Sequence, residues 1–207
     1  MKTYGLVISS YGYGHLAAHA IESALCQTKQ FDKIWFVDDG KGDCGHLIPL
    51  YDKRVTFKLR DNNLGIVENF NDMLLGVNTD YVMFLGADNW LRPDALKLLS
   101  EVEADIVTYD IIVTGELRNE IHQFYSHHMR EYQGDYYWSR LMQHHGSMLY
   151  NSDLAKKVGG YAHNKTSSRT DEDLNIWDKM RNGGAKVSHI GQGLLYYRRH
   201  LENFNKY

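Results

Sequence analysis

The most constraining feature of this chain is a repeated pattern in its first half. Short apolar runs end abruptly in polar or acidic residues, and each is followed by a segment with helical spacing. Residues 4–8 (YGLVI) read as a buried strand that stops at Ser9-Ser10-Tyr11. Leu16, Ala17, Ala20, Ile21, Ala24 and Leu25 then recur at the 3.6-residue period of a helix. Residues 33–37 (KIWFV) form a second strand ending in Asp38-Asp39-Gly40, and residues 55–59 a short third. Ile66, Phe70, Met73 and Leu74 mark a second helix. Residues 81–85 (YVMFL) are the next strand, which runs into Asp88-Asn89. Pro93 suits the first turn of a helix reaching about Glu101, and residues 106–109 are a further strand.

Strands alternating with helices predict an α/β fold with a mostly parallel central sheet flanked by helices. In such sheets ligands bind outside the carboxyl ends of the strands. That rule selects three places here: Ser9 to Tyr11, Asp38-Asp39 and Asp88-Asn89. Together they point to a nucleotide-type ligand.

The second half is less regular. Residues 111–115 read as a strand, 135–142 as a short helix and 148–150 as a strand. Ser152 is the expected N-cap of a segment to Val158. Leu174, Trp177 and Met180 predict a helix that ends at Gly183-Gly184. Residues 194–197 form a last strand before Arg198-Arg199-His200.

The totals bound the function. The 207 residues, 43% hydrophobic, supply one domain with a full core. A net charge of −3 gives no electrostatic case for nucleic acid. Cys26 and Cys44 lack metal spacing and read as reduced thiols. With no 18-residue apolar run and no signal-peptide pattern, a cytoplasmic protein without a transmembrane segment is expected. Contact with a membrane would then be peripheral.

Two families fit the first half. Gly12-Tyr13-Gly14-His15-Leu16-Ala17 matches a GxGxxA pattern, with Asp38 and Asp39 at the spacing of a ribose-binding acid. That reading is an NAD-type oxidoreductase, and it leaves Asp88 and the late TDEDL without a role. A nucleotidyltransferase would need a Lys or Arg in the first loop, and GYGHLAAH has neither. The segments AIESALCQT, VDDGKGD, RDNNLGIVENFN, YVMFLGADNWLRPDAL, TDEDL and YYRRH, in that order, resemble the family 2 glycosyltransferases of the GT-A fold. A non-catalytic module that binds nucleotide or glycan is the remaining alternative.

The resemblance implies a single GT-A (Rossmann-like) domain over residues 1–207. Residues 1–110 would bind the nucleotide sugar and 111–207 the acceptor. It implies that Ser9 and Tyr11 touch the nucleoside, with the Tyr ring against the base; a strand-end Tyr packed on a helix is the plain alternative. Asp39 would accept a hydrogen bond from the base, while Asp38 caps its turn or meets the ribose. Arg60, with Asp61, would reach the base or stand solvated. Asn63, Gly65 and Asn71 fit structural roles, with Asn71 tying its helix to the nucleotide loops.

Asp88 would hold Mn²⁺ or Mg²⁺ against the donor's phosphates, since hard cations prefer oxygen ligands. Where the family carries two acids, this chain has Ala87-Asp88-Asn89. Asn89 and His200 are the expected further ligands. Asp173 would act as general base with Glu172 beside it, and Asp171 is the alternative. Acids that merely favour a helix N-terminus explain the same triplet. Arg198 and Arg199 would neutralise the diphosphate. His144, His145, Gly146 and Ser147 would line a sugar or acceptor pocket, and His122, His127 and His128 a solvated loop. The implied reaction is inverting transfer of a sugar from a UDP-linked donor to a hydroxyl of a glycan or glycosylated surface acceptor.

Overall fold

A computed structural model describes residues 1–139, 147–163 and 172–203. The first half runs β1 (Tyr4–Ser10), α1 (Gly14–Leu25), β2 (Lys33–Asp38), α2 (Ile48–Tyr51), β3 (Thr56–Leu59), α3 (Ile66–Gly76) and β4 (Tyr81–Gly86). β5 (Trp90–Leu91), α4 (Ala95–Ser100), β6 (Ile106–Thr114), α5 (Arg118–Tyr125), β7 (Met129–Tyr132) and β8 (Asp135–Trp138) follow. The chain closes with β9 (Met148–Asn151), α6 (Ser152–Lys157), α7 (Glu172–Asn182) and β10 (Val187–Arg198).

Among the described residues these strands form one sheet in the order β3-β2-β1-β4-β9-β6-β10-β5, with β8 beside β6 and β7 beside β8. The run β3-β2-β1-β4 is parallel throughout, and β6 and β10 are parallel again. β9 lies antiparallel between β4 and β6. The expected α/β domain with helices on both faces is therefore present.

Alternation along the strands divides the core between the two faces. Leu6, Ile8, Phe36 and Met83 point to one side, with Ala17, Ala20, Ile21 and Ala24 of α1 and Leu96 and Leu99 of α4. Val7, Val37, Val82 and Phe84 point to the other, under Phe70 and Leu74 of α3, Ala155 of α6 and Ile176 and Met180 of α7. Burial on both faces explains why β1 and β4 read as continuous apolar runs.

Several boundaries differ from the sequence expectation. Residues 135–138 are a strand, not the start of a helix, and pair antiparallel with both β6 and β7. Gln133 and Gly134 both have positive φ (51° and 87°), which is the two-residue turn that matches strand twist. Tyr136, Tyr137 and Trp138 are also strand formers; residues 140–142 lie outside the described residues. The two strands expected at 106–109 and 111–115 are one strand of nine residues, uninterrupted by Asp110. The last strand begins at Val187, not 194. The N-cap of α6 is Asn151, whose side chain accepts from Leu154 N at 2.8 Å; Ser152 is already helical. Gly184, at φ 89°, does follow α7 as expected. Among the described residues no helix is long and apolar enough to cross a membrane.

Candidate functional site

Because β1 lies between β2 and β4, the three polar strand ends become neighbours. Ser10 pairs with Asp38, and Ser9 with Gly86. Ser9 Oγ accepts a hydrogen bond from Asn69 Nδ2 at 3.0 Å. Asn69 Oδ1 in turn accepts from Arg60 Nε and Nη2, at 3.1 and 3.0 Å. Arg60 Nε also stands 3.3 Å from Asp39 Oδ1, and its Nη2 donates to Asp72. Arg60 is thus no solvated surface residue, with its side chain only 10% exposed. Asp61 and Asn63 beside it are exposed.

Asp39 is held from a second direction. Its two oxygens accept the backbone N–H groups of Leu64 and Gly65, each at 3.2 Å. Gly65 supplies the positive φ of 84° that this turn needs. Burial pushes the Asp39 carboxyl above its ordinary value, opposed by the Leu64 N–H and the Arg60 guanidinium. The Asp39 backbone N–H donates to Ser10 O at 2.9 Å, and the following residue, Tyr11, is 52% exposed.

Asp38 takes the turn-capping alternative. Its oxygens accept from Lys41 N and Gly42 N, both at 3.0 Å. It also clusters with Asp43 and Cys44, their ligand atoms within 4.8 Å of one another. This trio has the chemistry of a loop lock. Burial pushes the Cys44 thiol up to about 12, which keeps it protonated, and Asp43 Oδ2 accepts the Gly14 N–H at 2.9 Å. A Cβ on Gly14 would sit 2.3 Å from the Asp43 carbonyl oxygen. Gly14 therefore admits the 41–44 loop, and a carboxylate occupies the N-terminus of α1. A dinucleotide's pyrophosphate would need that place.

Asp88 lies at the end of β4 with its side chain 9% exposed. Its Oδ2 accepts from Asn203 Nδ2 at 3.0 Å and is 3.4 Å from His200 Nε2. Asn89 Oδ1 accepts the Arg198 backbone N–H at 2.9 Å. The structure thus brings Asp88, Asn89 and His200 together across 112 positions of sequence. A Cβ at Gly86 would meet Asp88 Oδ1 at 2.7 Å and Asn89 Nδ2 at 2.9 Å, so glycine there lets both side chains fold back. The carboxylate oxygen suits Mg²⁺ or Mn²⁺, and the imidazole nitrogen beside it is better tolerated by Mn²⁺ than by Mg²⁺.

The two arginines diverge. Arg198 lies over the Trp90 ring at 4.9 Å, with Nη2 3.0 Å from His19 Nδ1. Trp90 also stacks with His19 and with Tyr196. Arg199 is buried, and its backbone joins Thr114 and Leu117. Both line a cavity of about 510 Å³ with His15, His200 and Glu202.

Glu172 and Asp173 form the first turn of α7. Their side chains, like Asp171, His144, His145 and Gly146, lie outside the described residues. Ser147 is buried before β9. Asn71 ties α3 to Tyr161, not to the nucleotide loops: its Oδ1 accepts Tyr161 N at 2.8 Å and its Nδ2 donates to Tyr161 O at 2.9 Å. His122 belongs to α5 and stacks on Tyr136 at 4.0 Å, so it is no loop residue. His127 and His128 form a 3₁₀ turn beside a second cavity.

Asn69, Asp72 and Asn203 escaped the sequence reading. The first two were findable, because they stand three apart on the polar side of α3. Asn203 carried no signal, since only the folded chain sets it against Asp88.

The family model described as glycosyl transferase family 2 matches residues 6–159. Among solved structures, the chain is similar to S. aureus TarS 1–349, with a TM-score of 0.70 and 14% identity, over 95% of this chain and 60% of that one. The same protein in complex with UDP-GlcNAc gives 0.73 and 14%, over 97% and 60%. Its complex with UDP gives 0.68 and 14%, over 95% and 60%. The chain therefore spans about 60% of the length of these structures, and at this identity the likeness concerns the fold. No curated protein matches it.

Proposed function

We propose that this chain, which belongs to glycosyl transferase family 2 and is a glycosyltransferase, takes its sugar from a UDP-linked donor and passes it to a hydroxyl group with inversion. The observation that carries the donor assignment is Asp39. Two backbone N–H groups and Arg60 fix its carboxylate, and its own backbone N–H bonds to Ser10 O, one residue before the exposed Tyr11. A fixed acceptor next to an aromatic platform suits the imide N–H and the flat ring of uracil. Ser9 faces the ribose in this reading, and Arg60 acts through Asp39. The fold likeness to a protein solved with UDP and with UDP-GlcNAc supports the same donor class.

Asp88 and His200 would hold Mg²⁺ or Mn²⁺, with Asn89 holding the chain beside them. Such an ion, when bound, acts as a Lewis acid for the charge that develops on the departing diphosphate. Arg198 adds positive charge from the neighbouring cavity. On the acceptor side Asp173 takes the proton of the attacking hydroxyl, and Glu172 orients it. Residues 1–110 then supply most of the donor site and 111–207 most of the acceptor side, with Arg198 and His200 reaching back to the donor's diphosphate; the acceptor would be a glycan or glycosylated surface molecule met in the cytoplasm or at its membrane face.

A thermal-shift series with UDP, UDP-GlcNAc, GDP-mannose and dTDP-glucose, each with and without Mg²⁺, tests the donor. A ligand that binds only the native state adds RT ln(1 + [L]/Kd) of stability. The uridine compounds should raise the melting midpoint, more so with Mg²⁺. Equal shifts with all four, or none, would overturn the assignment.

A further inference from the structure

A second group of polar side chains lies away from Asp39 and Asp88. Asp110, in the middle of β6, is buried, with its side chain 3% exposed. Its Oδ1 stands 3.2 Å from His189 Nε2 of β10, and its Oδ2 accepts from the Tyr137 hydroxyl of β8 at 2.6 Å. His189 Nδ1 is fixed in turn by Thr108 Oγ1 at 2.9 Å. Asp110 and Tyr137 face a cavity of about 480 Å³, rimmed by His127, His128, Arg130 and Gly191.

Two features of the backbone open this space. β10 slips register between Ile190 and Gly193, opposite Asp110. Such bulges part a strand pair and re-aim side chains. At its exposed crest, a Cβ on Gly191 would meet nothing nearer than Asp110 Oδ2, at 4.0 Å. The Arg130 guanidinium lies over the Tyr137 ring at 4.6 Å and forms part of the rim.

The cavity also lies on the side of the sheet that α7 covers. Asp110 shares its side of the sheet with Ile106, which packs in the same cluster as Ile176 and Met180 of α7. The C-terminal end of α7 meets the start of β6, because Asp105 N bonds to Lys186 O and Ala185 N to Met180 O. From there the 11 residues of α7 rise about 16 Å. β6 rises about 13 Å from Ile106 to Asp110. α7 is therefore long enough for its first turn, which carries Glu172 and Asp173, to reach the level of Asp110.

We infer that this cavity is the subsite for the acceptor, and that it takes a neutral sugar ring whose hydroxyl donates to the Asp110 carboxylate. The inference rests on the glycosyltransferase reading above. A buried carboxylate repels anions and accepts hydroxyl hydrogen bonds. His189 and Tyr137 hold Asp110 in one orientation, which gives the site direction. Asp110 is a binding residue, and His189 positions it.

The test uses the full chain with UDP and Mg²⁺, and reads saturation-transfer NMR of methyl glucoside, methyl galactoside and methyl N-acetylglucosaminide. At least one glycoside should bind the wild-type protein. Asp110→Asn and Gly191→Val should each lower that signal about fivefold or more, while affinity for UDP-GlcNAc changes by less than about twofold. Gly191→Val fills the mouth without removing any hydrogen bond, so it stands as the probe if Asp110→Asn does not fold. Glycoside signals that survive Gly191→Val, or none with wild-type protein, overturn the inference. Weaker UDP-GlcNAc with unchanged UDP also overturns it, because the cavity would then hold the donor's sugar. If wild-type protein binds glycosides through Asp110 but binds no UDP, the subsite stands and the donor assignment falls.

Discussion

Arg60 and Asp39 stand side by side in the structure, Nε 3.3 Å from Oδ1, both almost out of contact with water. The pair links β2, the loop after β3 and, through Asn69 and Asp72, helix α3. Replacing Arg60 by Met leaves Asp39 buried beside an apolar chain. Loss of one partner of a buried pair costs about 3 kcal/mol. For a domain of this size that lowers the melting midpoint by about 6–12 °C. UDP affinity should fall as well, which calorimetry would read. An unchanged midpoint would show that the pair carries no such weight.

The pH dependence of Asp39 has two opposite faces. Burial raises its carboxyl above the unfolded-chain value of 3.8. Between those two values the native state binds more protons than the unfolded chain, so this group's contribution to stability is complete below 3.8 and is lost as pH rises through the raised value. In the proposed role, UDP recognition needs the ionised form and moves the other way. Titrations of UDP from about pH 7 downward should show wild-type affinity falling more steeply than that of Asp39→Asn. Parallel curves for the two proteins would remove Asp39 from recognition.

Asp173→Asn should lower transfer by about 10²–10⁴-fold, the range for loss of a general base, with the Kd for UDP-GlcNAc unchanged. Single-turnover rates with saturating donor separate the two effects. If the variant loses donor affinity instead, the carboxylate belongs to the donor pocket.

Gly86→Ala sets a methyl group 2.7 Å from Asp88 Oδ1. The side chain must swing away, so the gain in UDP affinity on adding Mg²⁺ should shrink as far as in Asp88→Ala. A Gly86→Ala protein with wild-type Mg²⁺ dependence would place the ion elsewhere.

Asn71→Ala removes two hydrogen bonds to Tyr161. Each is worth about 1 kcal/mol, so the variant should lose about 2 kcal/mol in urea unfolding. Donor affinity should be unaffected, because the clasp lies on the α7 side of the helix.

The parallel strands and their polar ends were legible because two-sided burial writes itself as an unbroken apolar run, as in residues 81–85. The second half was harder for physical reasons. Asp110 looks like a strand break, yet its charge is met by His189 and Tyr137, partners 79 and 27 positions away that no local pattern announces. Tyr136, Tyr137 and Trp138 have strand propensity, but Trp138 with Leu141 and Met142 also has helical spacing, and Gly134 alone marks the turn. At the site, Asp39 and Asp88 were visible as strand-end acids. What holds them was not, since Asn69, Asp72 and Asn203 matter only through tertiary contact.

The place of β10 in the sheet has a consequence for the order of assembly. β5, the two residues that follow Asp88 and Asn89, pairs with β10, through Leu195 to Leu91 and Tyr196 to Trp90. The backbone of Arg198 and the side chains of His200 and Asn203 then close on Asn89 and Asp88. A nascent chain that has emerged only through α7 can already form the Asp39 network, which needs nothing beyond α3. The Asp88 cradle waits for the last strand to dock. The network proposed to meet the base is thus built early and locally, whereas the cradle proposed for the cation forms only once β10 has docked.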